Sequence, residues 1–581
     1  MYHENQFEAL APRLPGLQRH TDMRTMKHPL PLGRHEQPDR YTMSPDQPSY
    51  KWWVALTVVP AGLISAIDGT SVGIAIPSMM TNLRADLDHI QWVVTTYLLI
   101  QTLLMPMTGW LTALLGRRNL FVCSLMLFNI GTVLCSFSWS VESLTFFRAL
   151  QAIGGGPLQP VSMALLYSAF PPQQRGTAVG LFNMSVAFGL IIGRFGGVLV
   201  ELFDWRMIFY MTIPFGVLSA VLGWFFIPRT TQQRQWSIDP WGLLTMAGFL
   251  VPLLLAFSQG RHEGWDSAYI RALLVLALAS LVAFVIVELR TTSPVVDLRL
   301  YRNTNFALGS VVNFMVTVLF MSSTFLLNVF LQRIYQYSPI QVGVLMFPQG
   351  LIYGLGSMFA GRLSDFTDPR LPLVLGLVCF SLAYYWLGSI TAVATALALM
   401  SILCLRSFSF SCVNAPNMLL SLRTLPEDKV GMATGLFSVA RGIAGTLGVA
   451  LSASFLEYRR ELHGLWLAEA QGALDLPSQW ATTELQQFFA AEGDGRSEAQ
   501  VRTAAHLNTM MQDEASIAAY QDVFLFSAFL SLFAILPGLL RKAEPRPQPE
   551  SVEPQIVGVR SGSLDRDKKQ SLNRPDSARL P

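Results

Sequence analysis

The sequence predicts an all-α integral membrane protein of fourteen transmembrane helices, two six-helix repeat halves with two extra helices between them. Three observations carry this: a shortage of charge, a succession of long apolar runs, and a motif that returns 252 residues later. Of 581 residues, 51% are hydrophobic and 14% are charged. A soluble chain carries about 25% charged residues. The net charge of +3 is too small to argue for a nucleic-acid partner.

A helix needs about 20 mostly apolar residues to cross a bilayer. Such runs fall at 52–79, 91–114, 119–138, 143–169, 177–200, 207–227, 240–258, 270–289, 305–331, 340–360, 372–389, 392–420, 430–456 and 521–540. The eleventh and twelfth divide near Gly388 and Ser389. The boundaries give a first half at 51–228, the two extra helices at 229–303 and a second half at 304–540. Residues 1–50 and 541–581 are polar and contain proline, and read as disordered cytoplasmic tails. The first lacks the apolar core of a signal peptide.

Short cytoplasmic loops gather Lys and Arg. With the N-terminus inside, twelve such residues fall in inner loops (among them Arg117, Arg118, Arg175, Arg234, Arg362 and Lys429) and four in outer loops: Arg84, Arg206, Arg261 and Arg333. Both termini are therefore expected in the cytoplasm. One outer segment, 457–520, is long and polar, with helix-compatible stretches at 478–491 and 496–519. It reads either as a solvated loop or as a docking element.

The repeat appears as "GWLTALLGRR" (109–118) and "GRLSDFTDPR" (361–370). A fainter echo sets Arg148 against Arg406, 258 apart, and Pro160 against Pro416, 256 apart. Repeat-built transporters hold substrate near the midplane, at the repeat interface. Other classes find less support. The five cysteines all lie in apolar runs without ligand spacing, and no histidine lies inside such a run. Metal binding is not expected, nor is a nucleotide loop present, so the chain does not read as an enzyme.

Several stretches resemble the major facilitator superfamily, in particular its fourteen-helix drug:proton antiporter branch of the EmrB/QacA type. They are "IDGTSVGIAIP" (67–77), "QWVVTTYLL" (91–99), "LTFFRALQAIGGG" (144–156), "DWRMIFYMTIPFG" (204–216), "HEGWDS" (262–267) and "SPVVDLRLYRNTNFALG" (293–309). The resemblance runs from about 52 to 540. It implies the major facilitator fold and proton-coupled efflux of amphipathic or hydrophobic compounds, with a proton gradient and no cofactor. It also implies an inner-membrane location and, in the EmrB type, a periplasmic adaptor and outer-membrane channel as partners. Three departures stand out. Ala113 replaces the acid of the first loop motif, whose second copy keeps Asp365. Gly73 replaces an asparagine in the first helix. The helix 5 Gly-Pro is missing, its proline position falling on Gly193 or Arg194. Arg194 and the lost proline leave open an alternative cargo: an endogenous anion such as a fatty acid, siderophore or secondary metabolite.

Asp68 is the acid placed well inside a span, with the others at predicted ends. Burial favours a neutral carboxylic acid and a neighbouring arginine favours the carboxylate, so such a group can take and release protons. An acid that only packs helices, bonded to Thr70 or to a neighbouring helix, is the competing reading. The resemblance gives Arg148 a part in proton transfer or in organising the cavity. Gln151, Gln159, Arg194, Asn313, Arg406 and Asn414 are candidate cavity residues, alongside the other intramembrane amides Asn183, Gln349 and Asn417. Arg194 can face the cavity or pair with Glu201 in the outer leaflet. Arg441 reads as structural, outside the twelve-helix core. Gly109 and Gly116 let helices 2 and 3 turn tightly, Gly361 opens the second copy of this gating motif, and Arg117, Arg362 and Asp365 can lock or release the two halves on the cytoplasmic side. Without the proline, helix 5 is expected to be straighter than the family's.

Overall fold

The computed structural model describes residues 47–229, 239–291, 294–390, 394–472, 476–491 and 495–541. Arg234 and nearly all of the two expected tails lie outside them. The first half contains α1 (Tyr50–Leu83), α2 (Leu87–Leu104), α3 (Thr108–Leu115), α4 (Arg117–Ser136) and α5 (Val141–Ala169). It closes with α6 (Arg175–Arg194), α7 (Gly196–Leu202), α8 (Met207–Tyr210) and α9 (Ile213–Phe226). Next come α10 (Pro240–Glu263) and α11 (Ala268–Arg290). The second half contains α12 (Thr304–Arg333), α13 (Pro339–Phe366), α14 (Arg370–Leu387) and α15 (Ala396–Arg423). It ends with α16 (Val430–Gly472), α17 (Leu476–Ala491), α18 (Arg496–Phe533) and α19 (Ile535–Leu539). The described residues contain no strand.

Among the described residues, 12 helical spans are long and apolar enough to cross a membrane, or 13 with the bent pair α2–α3. The 29-residue α5 packs against α1, α2 and α4 in the place of a further span. Its arginine, two glutamines and two prolines make it less apolar than its neighbours. The second span is not one straight helix. It bends by 64° between Leu104 and Thr108, where Pro106 has no N–H to give to the ladder. In helix 5, Phe195, itself helical in φ and ψ, divides α6 from α7 and bonds back to the Ile192 carbonyl, and the two lie in one span from Pro172 to Leu202.

Local chemistry sets many of the ends. Ser140 with Ser143, and Ser338 with Gln341, form reciprocal caps on α5 and α13. Asp86 caps α2, and Gly116 takes φ 85° between α3 and α4, a conformation glycine adopts freely.

Small residues bring helices together, as in other membrane bundles. The α6–α13 pair meets at successive levels: Gly176 on Gly361, Gly180 on Ser357, Ala187 on Gly354 and Ile191 on Gly350. On another side α6 packs on α1, where a methyl group at Gly193 would lie 2.8 Å from the Thr70 Cβ. The extra pair α10–α11 is peripheral. Val275, Leu276, Leu278 and Val282 of α11 are exposed, as residues facing lipid tails should be.

The outer segment 457–520 is not an irregular loop. α16 runs for 43 residues and α18 for 38. At 1.5 Å per residue α16 is ~65 Å long, about twice a hydrocarbon core. Both helices therefore continue out of the membrane, with α17 between them. Asp522 of α18 ties the extensions by pairing with Arg459 and with His463 (2.6 Å) of α16.

Candidate functional site

Asp68 lies 18 residues beyond the start of α1 and is 2% exposed. Arg148 lies in the second turn of α5 and is 1% exposed. The Arg148 Nη1 group donates to both Asp68 oxygens at 2.9 Å. Gln151, one turn along α5, accepts from the same Nη1 at 2.7 Å and donates to Asp68 Oδ1 at 3.1 Å. Its amide also donates to Thr132 of α4 at 2.8 Å. Tyr97 of α2 lays its ring 4.1 Å from the guanidinium. Four helices thus meet around one ion pair. A buried pair costs desolvation that only good geometry and further hydrogen bonds offset, and here Gln151 supplies them. Asp68 does not bond to Thr70, whose hydroxyl donates to the Ala66 carbonyl.

The second half has a centre of its own. Arg406 of α15 is fully buried and donates to Ser323, to Gln349 at 3.1 Å and to Thr324 at 3.4 Å. Asn414 accepts from Arg441 of α16 at 3.3 Å. Arg441 therefore belongs to the interior, because α16 packs against α3, α5 and α12 rather than outside the core. Arg194 does not meet Glu201, which is exposed. Its Nη1 donates instead to the Met346 carbonyl of α13 at 3.3 Å, reaching across to the other half. Asn313 is spent on packing, donating to the Phe437 carbonyl at 3.2 Å. Gln159 is half-buried on α5, two turns beyond Gln151.

The gating candidates divide. Asp365 accepts from the backbone of Gly176 at 2.7 Å and of Thr177 at 2.8 Å, at the first turn of α6. Arg117 donates to the Glu427 carbonyl at 3.1 Å, also between halves. Gly109 faces Met432 of α16, and Gly361 faces α6. Arg362 is exposed, and the structure does not bring it to this interface. The ion pair of Arg175 with Glu427 belongs to the same latch and escaped the sequence reading. So did Tyr97 and Thr132, whose residue types are common in helices and give no signal alone. Glu288, expected at the end of a span, is 1% exposed and accepts the Val296 N–H.

Known proteins share both the pattern and the fold. An uncharacterized MFS-type transporter of Bacillus subtilis, YhcA, is 29% identical over 423 residues, covering 72% of this chain and 79% of that one. The multidrug export protein EmrB of Haemophilus influenzae is 29% identical over 494 residues, covering 83% of this chain and 94% of that one. The crystal structure of the human organic anion transporter MFSD10 (TETRAN) aligns with a TM-score of 0.52 at 16% identity. It covers 84% of this chain and 100% of that one, a likeness of fold alone. The defining sequence pattern of one family matches residues 58–449, and with it the chain belongs to the Major Facilitator Superfamily.

Proposed function

We propose that the chain is a proton-coupled efflux transporter, exporting amphipathic or hydrophobic compounds by alternating access. The observation that carries this reading is the buried Asp68–Arg148 pair with Gln151. While Arg148 touches Asp68, the carboxylate and the guanidinium match each other's charge. A change of state or a substrate that draws Arg148 away frees the Asp68 carboxyl to exchange a proton. A proton bound on one side and released on the other couples the gradient to the cargo. Each charge moved contributes about 2.3 kcal/mol per 100 mV. The latch of Asp365, Arg117 and Glu427 is the part that opens and closes.

Relatives named multidrug export protein support a chemically varied cargo. The protruding parts of α16 and α18 support handover to a periplasmic adaptor and outer-membrane channel, with the chain in the inner membrane. The bias of Arg and Lys among the loops supports cytoplasmic termini.

Proteoliposomes with a trapped pH indicator test the reading. Amphipathic cargo should evoke proton movement through the wild type and none through Asp68→Asn. Folded wild-type protein that moves no protons across a broad cargo panel overturns the proposal. Persisting flux in Asp68→Asn removes Asp68 from it.

A further inference from the structure

The two halves build the same corner twice, and one copy lacks its negative charge. Residues 255 to 258 apart correspond: Asp68 with Ser323, Val93 with Gln349, Tyr97 with Tyr353, and Arg148 with Arg406. In the first corner Arg148 donates to the Asp68 carboxylate and to the Val93 carbonyl. In the second, Arg406 donates to Ser323 where Asp68 would stand, and to Gln349 where Val93 would stand. Each guanidinium lies by an aromatic ring, Tyr97 at 4.1 Å for Arg148 and Phe320 at 4.7 Å for Arg406.

The acceptors that meet Arg406 are all neutral: Ser323, Thr324, Gln349 and Tyr384. Its Nε has no partner although the residue is 0% exposed. The surroundings add more positive charge rather than less. Met346, Gln349 and Tyr353 fall on one face of α13, at steps of three and four residues. Arg194 meets the first and Arg406 the second, while Asn414, the acceptor of Arg441, bonds the third. Among the described residues none of these three arginines forms an ion pair with a carboxylate. The neighbouring wall is aromatic, with Phe320 stacked on Phe410 at 3.9 Å and Tyr353 5.4 Å from Phe410.

We infer that this corner is an anion-binding half-site of the substrate path, in which the cargo supplies the charge that Ser323 does not. A guanidinium fork matches a carboxylate in shape, and its hydrogen bonds to an anion are stronger than to neutral oxygens. The aromatic wall takes the apolar body. The class of ligand is an amphipathic organic anion, a carboxylate on an aromatic or aliphatic body. The assignment rests on the transport reading above, because it treats this corner as part of the cargo's path.

Equilibrium binding to the full chain in lipid nanodiscs, without a proton gradient, tests it. The probes are pyrenebutanoate, its neutral amide and the matching pyrenebutylammonium, read by fluorescence against empty nanodiscs. Wild type should prefer the carboxylate to the amide by about tenfold or more, and should reject the ammonium. Ser323→Asp supplies the missing carboxylate from the chain itself. It should abolish the preference while the melting temperature holds or rises. Arg406→Gln should abolish the preference, and Arg406→Lys should keep part of it. Equal binding of carboxylate and amide by folded wild type overturns the inference. So does a folded Ser323→Asp that retains the preference, and this arm stands even if Arg406→Gln fails to fold. The double variant Asp68→Asn with Arg148→Gln, which leaves no second orphaned guanidinium, separates the two readings. A retained carboxylate preference in that variant supports the half-site, and preference lost there with Arg406 intact overturns it as a distinct site. Loss of proton movement alone bears only on the coupling.

Discussion

Asp365 of α13 accepts the backbone N–H of Gly176 at 2.7 Å, so a carboxylate from the second half caps a helix of the first. The first N–H groups of a helix lack partners within it, and its N-terminus attracts negative charge. The bond forms only while the halves touch at this end. Asp365→Ala should weaken the closed state by ~1 kcal/mol, the usual worth of a cap, or about fivefold in population. Spin labels on Leu115 of α3 and Leu371 of α14, both exposed at this end, should show the longer distance gaining weight. An unchanged distribution rules out Asp365 as a latch.

Asp68→Asn leaves Arg148 buried without a counter-charge. Breaking a buried pair on one side costs ~3–5 kcal/mol, so the melting temperature should fall. Pairing the change with Arg148→Gln removes the orphaned charge and should recover part of the loss without restoring proton movement. A double variant no more stable than the single would mean that the pair is not the source of the cost.

Gly361→Val puts a branched side chain against the Gly176 carbonyl and the Gly180 Cα, 2.9 Å from the first added carbon. Backbone lies on the far side, so neither helix can yield by a side-chain turn. Overpacking of this kind costs ~1–3 kcal/mol. Thermal unfolding in detergent should show the loss, and Gly343→Val, where the added carbon meets nothing within 4 Å, serves as control.

The cap of α2 should respond to acid. Asp86 is held below the usual carboxylate range, first by the His89 backbone N–H and then by its ring. The contribution of such a group is present above its unfolded pKa and is lost as pH falls through the depressed folded one. Protection of the His89 amide against hydrogen exchange, taken relative to the intrinsic rate at each pH, should fall as the pH drops below the ordinary aspartate range, and Asp86→Ala should leave it little protected throughout. The side chain is exposed, so the effect stays local.

Much of the fold is legible because lipid enforces one simple rule, and long apolar runs obey it. The outer parts of α16 and α18 escape that rule. Once outside the bilayer their side chains become mixed, and nothing in "EYRRELHGLWLAEAQ" separates a continued helix from a loop. Proline marks the bend at Pro106, whereas the division at Phe195 has no such sign. The ion-pair centre was legible in part. Asp68, Arg148 and Gln151 are conspicuous in apolar company, but only the packing of α1 on α5 shows that they touch. Arg441 was misread because sequence order does not tell which late helix returns to the centre. Arg194 turned away from Glu201 because the carbonyl of Met346 on α13 lies within its reach.

The α6–α13 pair has one more implication. From Gly361 on Gly176 to Gly350 on Ile191, and up to Met346 beneath Arg194, the two helices press together at five levels. Such a seam leaves no lateral doorway to the lipid. While the halves are closed at this end, a cargo molecule dissolved in the bilayer must reach the interior by another gap in the ring of helices.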